Sequence, residues 1–571
     1  MPKKVKFGIM CQGYFFPKWQ ALIVQNLLAL ENVQCELLIV NPEEETKKNL
    51  IKRYTEKFLQ ISLSNLFWSI YKVFVKSKMN SLKPFSLEEK LNGVKQINCK
   101  VKKKGRFSEY FDKNDVENIK DYQLDFILRF SYGIIRGEIL NSAKYGIWSF
   151  HHGDEKKYRG GPACFWEIYN KDNITGFILQ KLTNSLDAGI VLKKGYIKTN
   201  LSYSKNLNQA LIESTSLAVP LCLDILNDNV EAFFKKPSIT KAKILYAPSN
   251  TIFLRYFILS NYRNLISLKR IFFVDIWNIG VVESHITSFL NETKPNVNWY
   301  DLKGRKEFFA DPFGILDKGD PKKVHIYFES YNHVGNVNKG EIDSLSYANG
   351  YLDNRKKIFN FPNHLSYPYI YNEGDAIYMI PENFESNQIN LYKKDELIDE
   401  FKFKQTLVSN FSGVDSTLVK IDNKYWLFTS DKNNSPEHNL YIFYSENLFT
   451  EFLAHPKNPV KTDVRSSRSA GTPFVIKNIL YRPSMDYSEK LEGKIRINEV
   501  KKISQNDFQE EEIKIIEPYK DSFYSDKIHT LSSVGNYTLI DGAKEVLVFS
   551  SWKLLKFQFF NIKAKIKKKF L

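Results

Sequence analysis

In the first part of the chain, short apolar runs alternate with stretches of helical periodicity. Val5–Met10 reads as a strand, Trp19–Leu30 as an amphipathic helix, and Val33–Val40 as a second strand ending at Asn41-Pro42. Residues 97–103 read as a short third strand. Asp125–Ser131 (DFILRFS) is a continuous apolar run of the kind buried on both faces of a parallel sheet. Gly146–His152, Gly176–Leu182 and Ile190–Ile197 extend the sheet, and the helical stretch Asn206–Asn227 closes it. This alternation predicts a doubly wound α/β domain over residues 1–245.

A segment at 50–82 breaks that rhythm. It predicts a helical insertion with Leu59, Leu63, Leu66, Phe67, Ile70 and Phe74 on one face and lysines elsewhere, suited to a partner, a lipid surface or its own domain. Residues 246–295 read as a connector without strand alternation. Beyond it the texture turns to short strands and turns, with a faint repeat: Ala310-Asp-Pro-Phe-Gly-Ile315, Ser366-Tyr-Pro-Tyr-Ile-Tyr371, Val414-Asp-Ser-Thr-Leu-Val419 and Gly471-Thr-Pro-Phe-Val-Ile476. A second strand follows each, and a further unit lies near 535–551. Spacings of roughly 50–60 residues are those of propeller blades, which predicts an all-β, five-bladed propeller over 296–551.

The 571 residues exceed what one hydrophobic core organises, so two or more domains are expected. The five cysteines (Cys11, Cys35, Cys99, Cys164, Cys222) are scattered and never in CxxC spacing, which argues against a disulfide framework or a zinc site. No metal is expected. The start lacks the apolar core of a signal peptide, and no stretch reaches the ~18–20 uninterrupted apolar residues of a membrane span. The expectation is a cytoplasmic protein. An excess of 82 Lys+Arg over 64 Asp+Glu gives a net charge of +18, and the tail, residues 552–571, is basic and aromatic. Residues 551–571 hold seven lysines and no acid, interleaved with Trp552, Phe557, Phe559, Phe560 and Phe570. That interleaving suits an anionic membrane surface at the inner leaflet better than nucleic acid; a solvated tail is the bland alternative.

The chemistry concentrates between 149 and 189: Ser-Phe-His-His-Gly-Asp, then Tyr158-Arg-Gly-Gly-Pro162, then Leu186-Asp-Ala-Gly189. In a strand, Ser149 and His151 share a face and His152 takes the other. They fall at the carboxyl end of a strand, where open α/β sheets hold ligands, and Asp187 is on a loop able to reach the same crevice. The set resembles the catalytic domain of the 10-formyltetrahydrofolate-dependent formyltransferases, which include methionyl-tRNA, glycinamide ribonucleotide and sugar N-formyltransferases. That family carries Asn-x-His, an Arg-Gly turn and Leu-Asp-x-Gly. The resemblance covers about residues 1–245 and implies His151 as the catalytic imidazole, Asp187 as its carboxylate, and Tyr132-Gly133-Ile134-Ile135 as the loop lining the folate site. Arg159 is a secondary candidate for the substrate. Serine stands at 149 where the family has asparagine, replacing an amide donor by one hydroxyl. Water or Ser149 completes the site, or His152 substitutes, or transfer is slow.

The second half resembles the propeller-like domain at the start of plant glucosamine inositolphosphorylceramide transferases. The matches are Phe309-Ala-Asp-Pro-Phe, His455-Pro-Lys-Asn-Pro-Val, Asp463-Val-Arg-Ser-Ser-Arg and Tyr481-Arg-Pro-Ser-Met-Asp. It is also similar in architecture to five-bladed glycoside hydrolases, which makes Asp311, Glu329, Asp415 and Asp486 candidate acids. Arg465, Arg468, Arg482 and His455 suit an anionic or sugar-phosphate ligand. Together the resemblances imply transfer of a formyl group from 10-formyltetrahydrofolate to an amino sugar or nucleotide sugar in glycan or glycolipid assembly. A carbohydrate-binding protein with a degenerate first domain is the alternative, and a methionyl-tRNA acceptor ranks below both.

Overall fold

The computed structural model describes residues 3–42, 63–105, 108–184, 189–267, 272–291, 294–302, 307–332, 339–359, 361–395, 397, 400–489, 493–547 and 549. Asp187, Leu59 and the basic tail lie outside the described residues. The chain divides into two units, Met1–Asn264 and Leu265–Leu571.

In the first unit, seven strands form one sheet: β1 (Val5–Cys11), β2 (Val33–Val40), β3 (Lys95–Asn98), β4 (Phe126–Arg129), β5 (Ile147–His151), β6 (Ile174–Lys181) and β7 (Ile190–Lys198), in the order β7-β6-β5-β4-β1-β2-β3. From β3 to β5 the neighbours are parallel, whereas β5, β6 and β7 pair antiparallel. The sheet is therefore mixed. The loop 182–189 is too short for a crossover, so β7 folds straight back on β6. The stretch expected as one strand at 97–103 divides in two, since Val101–Lys104 leaves β3 for a separate small sheet with Ser108–Phe111 and Ile134–Arg136.

Period-two alternation explains why both faces are apolar. Phe126, Leu128, Leu38, Val40 and Trp148 pack on one side with helix α1 (Lys18–Leu28) and the helical stretch Tyr203–Leu226. Ile127, Leu37, Ile39 and Ile147 pack on the other with Val116 and Ile119. Phe7, Phe126, Trp148 and Phe233 stack in series, with centroids 5.4, 3.9 and 5.6 Å apart. Such pairs add about 0.5–1.5 kcal/mol each beyond the area they bury. Tyr203–Leu226 is also long and apolar enough to cross a membrane, yet more than half of it lies inside this core.

The predicted insertion contributes helix α2 (Leu66–Ser77), and its apolar stripe faces solvent. Trp68 and Val75 are its buried residues, while Phe67, Ile70 and Phe74 face out. The Trp68 ring sits among Phe165, Tyr203 and Phe253, partners distant in sequence. The connector is not featureless either: Asn250–Ser267 forms helix α3 and Phe273–Val282 is a strand.

The second unit is all-β, with five antiparallel sheets. Four follow the chain in order from Glu307, Ser366, Gly413 and Phe474. The last joins the two ends of the unit: Phe273–Val282 pairs along its whole length with Tyr537–Leu547. In three successive sheets the first strand carries a bulge at the repeat position, and Asp311, Tyr367 and Asp415 there adopt left-handed φ of +52°, +45° and +48°. These side chains are buried.

Candidate functional site

A cleft opens at the carboxyl ends of β4 and β5. It is lined by Arg129, Gly133, Ile134, Ile135, Ser149, His151, Gln180, Leu182, Thr183 and Gly189. β5 aims Ser149 and His151 to the same side, and Gln180 lies opposite Ser149 in the antiparallel register. His152 points the other way. Its Nε2 lies 3.0 Å from Ser214 Oγ, its ring meets Trp19 edge-on, and burial followed by the charge of His151 lowers its pKa to about 3. It cannot substitute for the missing amide.

His151 Nε2 lies 2.9 Å from the Tyr158 carbonyl. A carbonyl only accepts, so Nε2 carries the hydrogen and Nδ1 is the basic nitrogen of the neutral ring. The Tyr158-Arg-Gly-Gly turn thus fixes the tautomer of His151. Arg159 itself turns away, donating from Nη1 to the Ala242 carbonyl at 3.0 Å, while Arg159-Gly160 pairs with Ile244-Leu245. Asp187 belongs to the loop whose ends, Thr183 and Gly189, border the cleft. A Cβ at Gly189 would lie 2.4 Å from Gln180 Oε1, the end of a side chain that would have to shift, and 3.0 Å from the Lys181 carbonyl.

The sequence reading missed Arg129. Its Nε and Nη2 donate to Ser149 Oγ at 3.2 and 2.8 Å. Nη1 donates to the carbonyls of Tyr132 and Gly133, at 3.3 and 2.6 Å. Burial lowers the guanidinium pKa, and nearby Glu109 opposes that shift. With both lone pairs of Ser149 Oγ engaged by the guanidinium, its O–H is left to donate. A half-buried cation and one hydroxyl polarised by it therefore stand where an amide was expected. A visible signal existed, because an arginine inside an otherwise apolar strand must be paired or functional.

Of the expected folate loop, Gly133, Ile134 and Ile135 line the cleft. Tyr132 does not: its hydroxyl donates to the Cys99 carbonyl at 3.1 Å and its ring packs on Phe111, anchoring the loop from behind. Glu109 Oε2 accepts from Gly133 N, and Asn184 Oδ1 from Gly137 N, tying the loop on both sides.

In the second unit, the candidate residues separate into two groups. Asp311, Asp415, Tyr367 and Arg468 interact with one another. Arg468 donates from Nε to Asp415, and Asp311 lies near His529, with Oδ1 3.4 Å from Nε2. Burial, followed by nearby carboxylates, pushes the Asp311 carboxyl up, against the opposing charge of His529. Asp541 accepts the backbone N–H groups of Asp311, His529 and Thr530, and Glu382 likewise accepts that of Asp415. Among the described residues, Asp311, His529 and Asp541 bring ligand atoms within 4.8 Å of one another. That geometry could hold a cation, although the sequence reading expects no metal.

The others are spent internally. Arg482 is fully buried; its guanidinium bonds Glu510 and the carbonyls of Ser466 and Ser467 rather than facing a ligand. Although burial alone would raise it, the carboxyl of Glu510 is held at about 2 by Arg482 and Lys461. Arg465 forks onto Asp463 at 2.9 and 2.7 Å, and Arg496 onto Asp486 at 2.8 and 2.6 Å. Buried His455 accepts from Lys457 N in a tight turn. Glu329 lies 3.8 Å from His364 Nε2.

Comparison with known proteins accounts for both halves separately. Residues 297–529 match the family model of the N-terminal part of glucosamine inositolphosphorylceramide transferase 1. The Arabidopsis thaliana glucosamine inositolphosphorylceramide transferase 1 is 32% identical over 213 residues, covering 36% of this chain and 27% of that protein. Methionyl-tRNA formyltransferase of Prochlorococcus marinus (strain AS9601) is 29% identical over 133 residues, 23% of this chain and 40% of that protein. The chain thus spans about a quarter of its plant relative and two fifths of its bacterial one. Among solved structures, Zg3597, a family 117 glycoside hydrolase of Zobellia galactanivorans, is 10% identical with a TM-score of 0.31, covering 43% of this chain and 87% of that one. Likeness at that level carries no information about chemistry. The protein joins an N-terminal part similar to methionyl-tRNA formyltransferases to a C-terminal part similar to the N-terminal domain of glucosamine inositolphosphorylceramide transferases.

Proposed function

We propose that the first unit transfers a formyl group to the amine of an amino sugar. The observation that carries this reading is the convergence of Ser149, His151 and the Gly133–Ile135 loop on one cleft, which Gln180, beside Ser149 on the neighbouring strand, and Gly189 also line. Ile134, Ile135 and Leu182 offer apolar walls suited to the flat ring of a reduced folate, and 10-formyltetrahydrofolate would supply the activated formyl group. His151 Nδ1 takes the proton that an attacking amine releases, with its ring held by the Tyr158 carbonyl. The Ser149 hydroxyl and the guanidinium behind it offer donors to an oxygen that gains negative charge. Asp187 would balance the imidazolium, and the proton passes on to the nitrogen of the tetrahydrofolate that leaves as its bond to the formyl carbon breaks.

For the second unit we propose that the five sheets are the blades of a propeller that holds the saccharide part of the acceptor. The left-handed bulges at Asp311, Tyr367 and Asp415 support that reading, since they recur at one position of the repeat. The test is release of tetrahydrofolate from 10-formyltetrahydrofolate in the presence of a panel of nucleotide-linked amino sugars, with methionyl-tRNA as comparison. One acceptor sugar is expected to support turnover, and His151→Ala to abolish it. Calorimetry showing no folate binding would overturn the proposal in favour of a carbohydrate-binding protein.

A further inference from the structure

Among the described residues, one large apolar face of the first unit is uncovered. Helices α2 and α3 are tied at their starts, where Asn250 accepts from Phe67 N at 3.1 Å and donates to the Leu63 carbonyl at 2.6 Å. Their inner faces share one aromatic cluster in which Trp68 meets Phe253, and Tyr71 meets Phe253 and Tyr256. These contacts advance together along both helices, so the two run in parallel. Their outer faces carry Phe67, Ile70, Val73 and Phe74 from α2 and Leu254, Phe257, Ile258 and Tyr262 from α3, each between 48% and 73% exposed. Soluble proteins rarely leave contiguous apolar surface of this extent without an occupant.

Charge identifies the occupant. Residues 63–83 and 247–264 contain no aspartate or glutamate, while Lys72, Lys76, Lys78 and Arg255 are exposed beside the apolar rows. Lys78 Nζ lies 4.1 Å from the centre of the Phe74 ring, its stem laid along the apolar surface. Aromatic and aliphatic residues flanked by cations on long stems suit a helix lying in the headgroup layer of an anionic bilayer. A second copy fits poorly, because a two-fold pairing would set the same cations against each other. We infer that the outer face of α2 and α3 docks on an anionic lipid surface, holding the first unit against a membrane independently of the C-terminal lysines.

The test is flotation of the full chain with phosphatidylcholine vesicles with and without phosphatidylglycerol. The protein is expected to partition onto the anionic vesicles. Combined Ile70→Glu, Phe74→Glu and Ile258→Glu substitutions should lower that partition about tenfold or more, with an unchanged melting profile. Ile239→Glu, at an exposed apolar residue outside the face, should leave it unaltered. Since every variant keeps the basic tail, its contribution cancels. Should the triple variant melt early, Lys72→Gln, Lys76→Gln and Arg255→Gln take its place and are expected to lower partition onto the phosphatidylglycerol vesicles about tenfold or more. The inference is overturned by wild-type protein that ignores anionic vesicles, by a triple variant that binds within twofold of wild type, or by an equal loss with Ile239→Glu. It is equally overturned by light scattering that shows a dimer dissociated by the triple substitution.

Discussion

Replacing Arg129 by methionine tests the central feature of the cleft. Methionine keeps much of the apolar stem but removes the charge and all four hydrogen bonds, those to Ser149 Oγ at 3.2 and 2.8 Å and to the carbonyls of Tyr132 and Gly133 at 3.3 and 2.6 Å. Losing a donor that stabilises developing negative charge costs on the order of 10²–10³ in kcat, about 2.7–4 kcal/mol. Releasing the two loop carbonyls costs about 1–3 kcal/mol more in stability. Ser149→Asn alone is also expected to be impaired, because the guanidinium already stands 2.8 Å from Oγ and a longer side chain collides with it. Combined Arg129→Val and Ser149→Asn vacates that space for an amide, so the pair should exceed either single variant, a coupling of about 1–3 kcal/mol. Steady-state tetrahydrofolate release gives kcat, and thermal melting separates a folding defect from a catalytic one. If Arg129→Met retains kcat within about threefold while His151→Ala is inactive, the guanidinium does no work on the transferred oxygen and the reasoning fails.

Three further outcomes follow from buried groups. His152 is neutral in the fold with its pKa lowered to about 3, but protonates near its ordinary value of 6.5 once unfolded. The unfolded chain therefore binds more protons between those values, and stability rises with pH across that window. The contribution lost at pH 5 is about 2 kcal/mol, to be read by denaturant unfolding of wild type against His152→Gln. Glu167, buried and with no hydrogen-bond partner for Oε1 among the described residues, has its pKa raised to about 8, chiefly by burial. Its stabilisation is complete below pH 4.5 and declines as pH rises through 8, so Glu167→Gln should stabilise the protein by about 1–3 kcal/mol at pH 7.5 and hardly at all at pH 4.5 in the same measurement. Asp541→Ala strips the backbone N–H groups of Asp311, His529 and Thr530 of their acceptor. It should cost the second unit about 3–5 kcal/mol, seen as an early transition in calorimetry.

Much of the first sheet was legible because continuous apolar runs such as Leu37–Val40 and Phe126–Leu128 declare strands buried on both faces. His151 was legible through the glycine turns and strand end around it, which are local signals. What escaped was long-range. Phe273–Val282 looks like connector until its partner Tyr537–Leu547 is known, since that partner lies more than 250 residues further along the chain. Which face of α2 meets the core was left open by its sequence, because Trp68 finds its cavity among rings contributed by Phe165, Tyr203 and Phe253. Arg482 passed for a ligand-binding cation because Glu510, which neutralises it, lies in another strand and is visible only through register. Arg129 was passed over inside an apolar run that correctly announced a strand.

The closing sheet of the second unit bears on where that unit can be cut. A recombinant piece bounded by the family match, 297–529, would discard both long strands of the clasp, Phe273–Val282 and Tyr537–Leu547, and Asp541 with them. Asp311 would lose the acceptor of its backbone N–H, and the first sheet would present bare apolar surface at Phe309 and Val324 where Ile279, Val281 and Leu539 now pack. A fragment that keeps this sheet must therefore span at least 273–547, and a shorter one is expected to be destabilised.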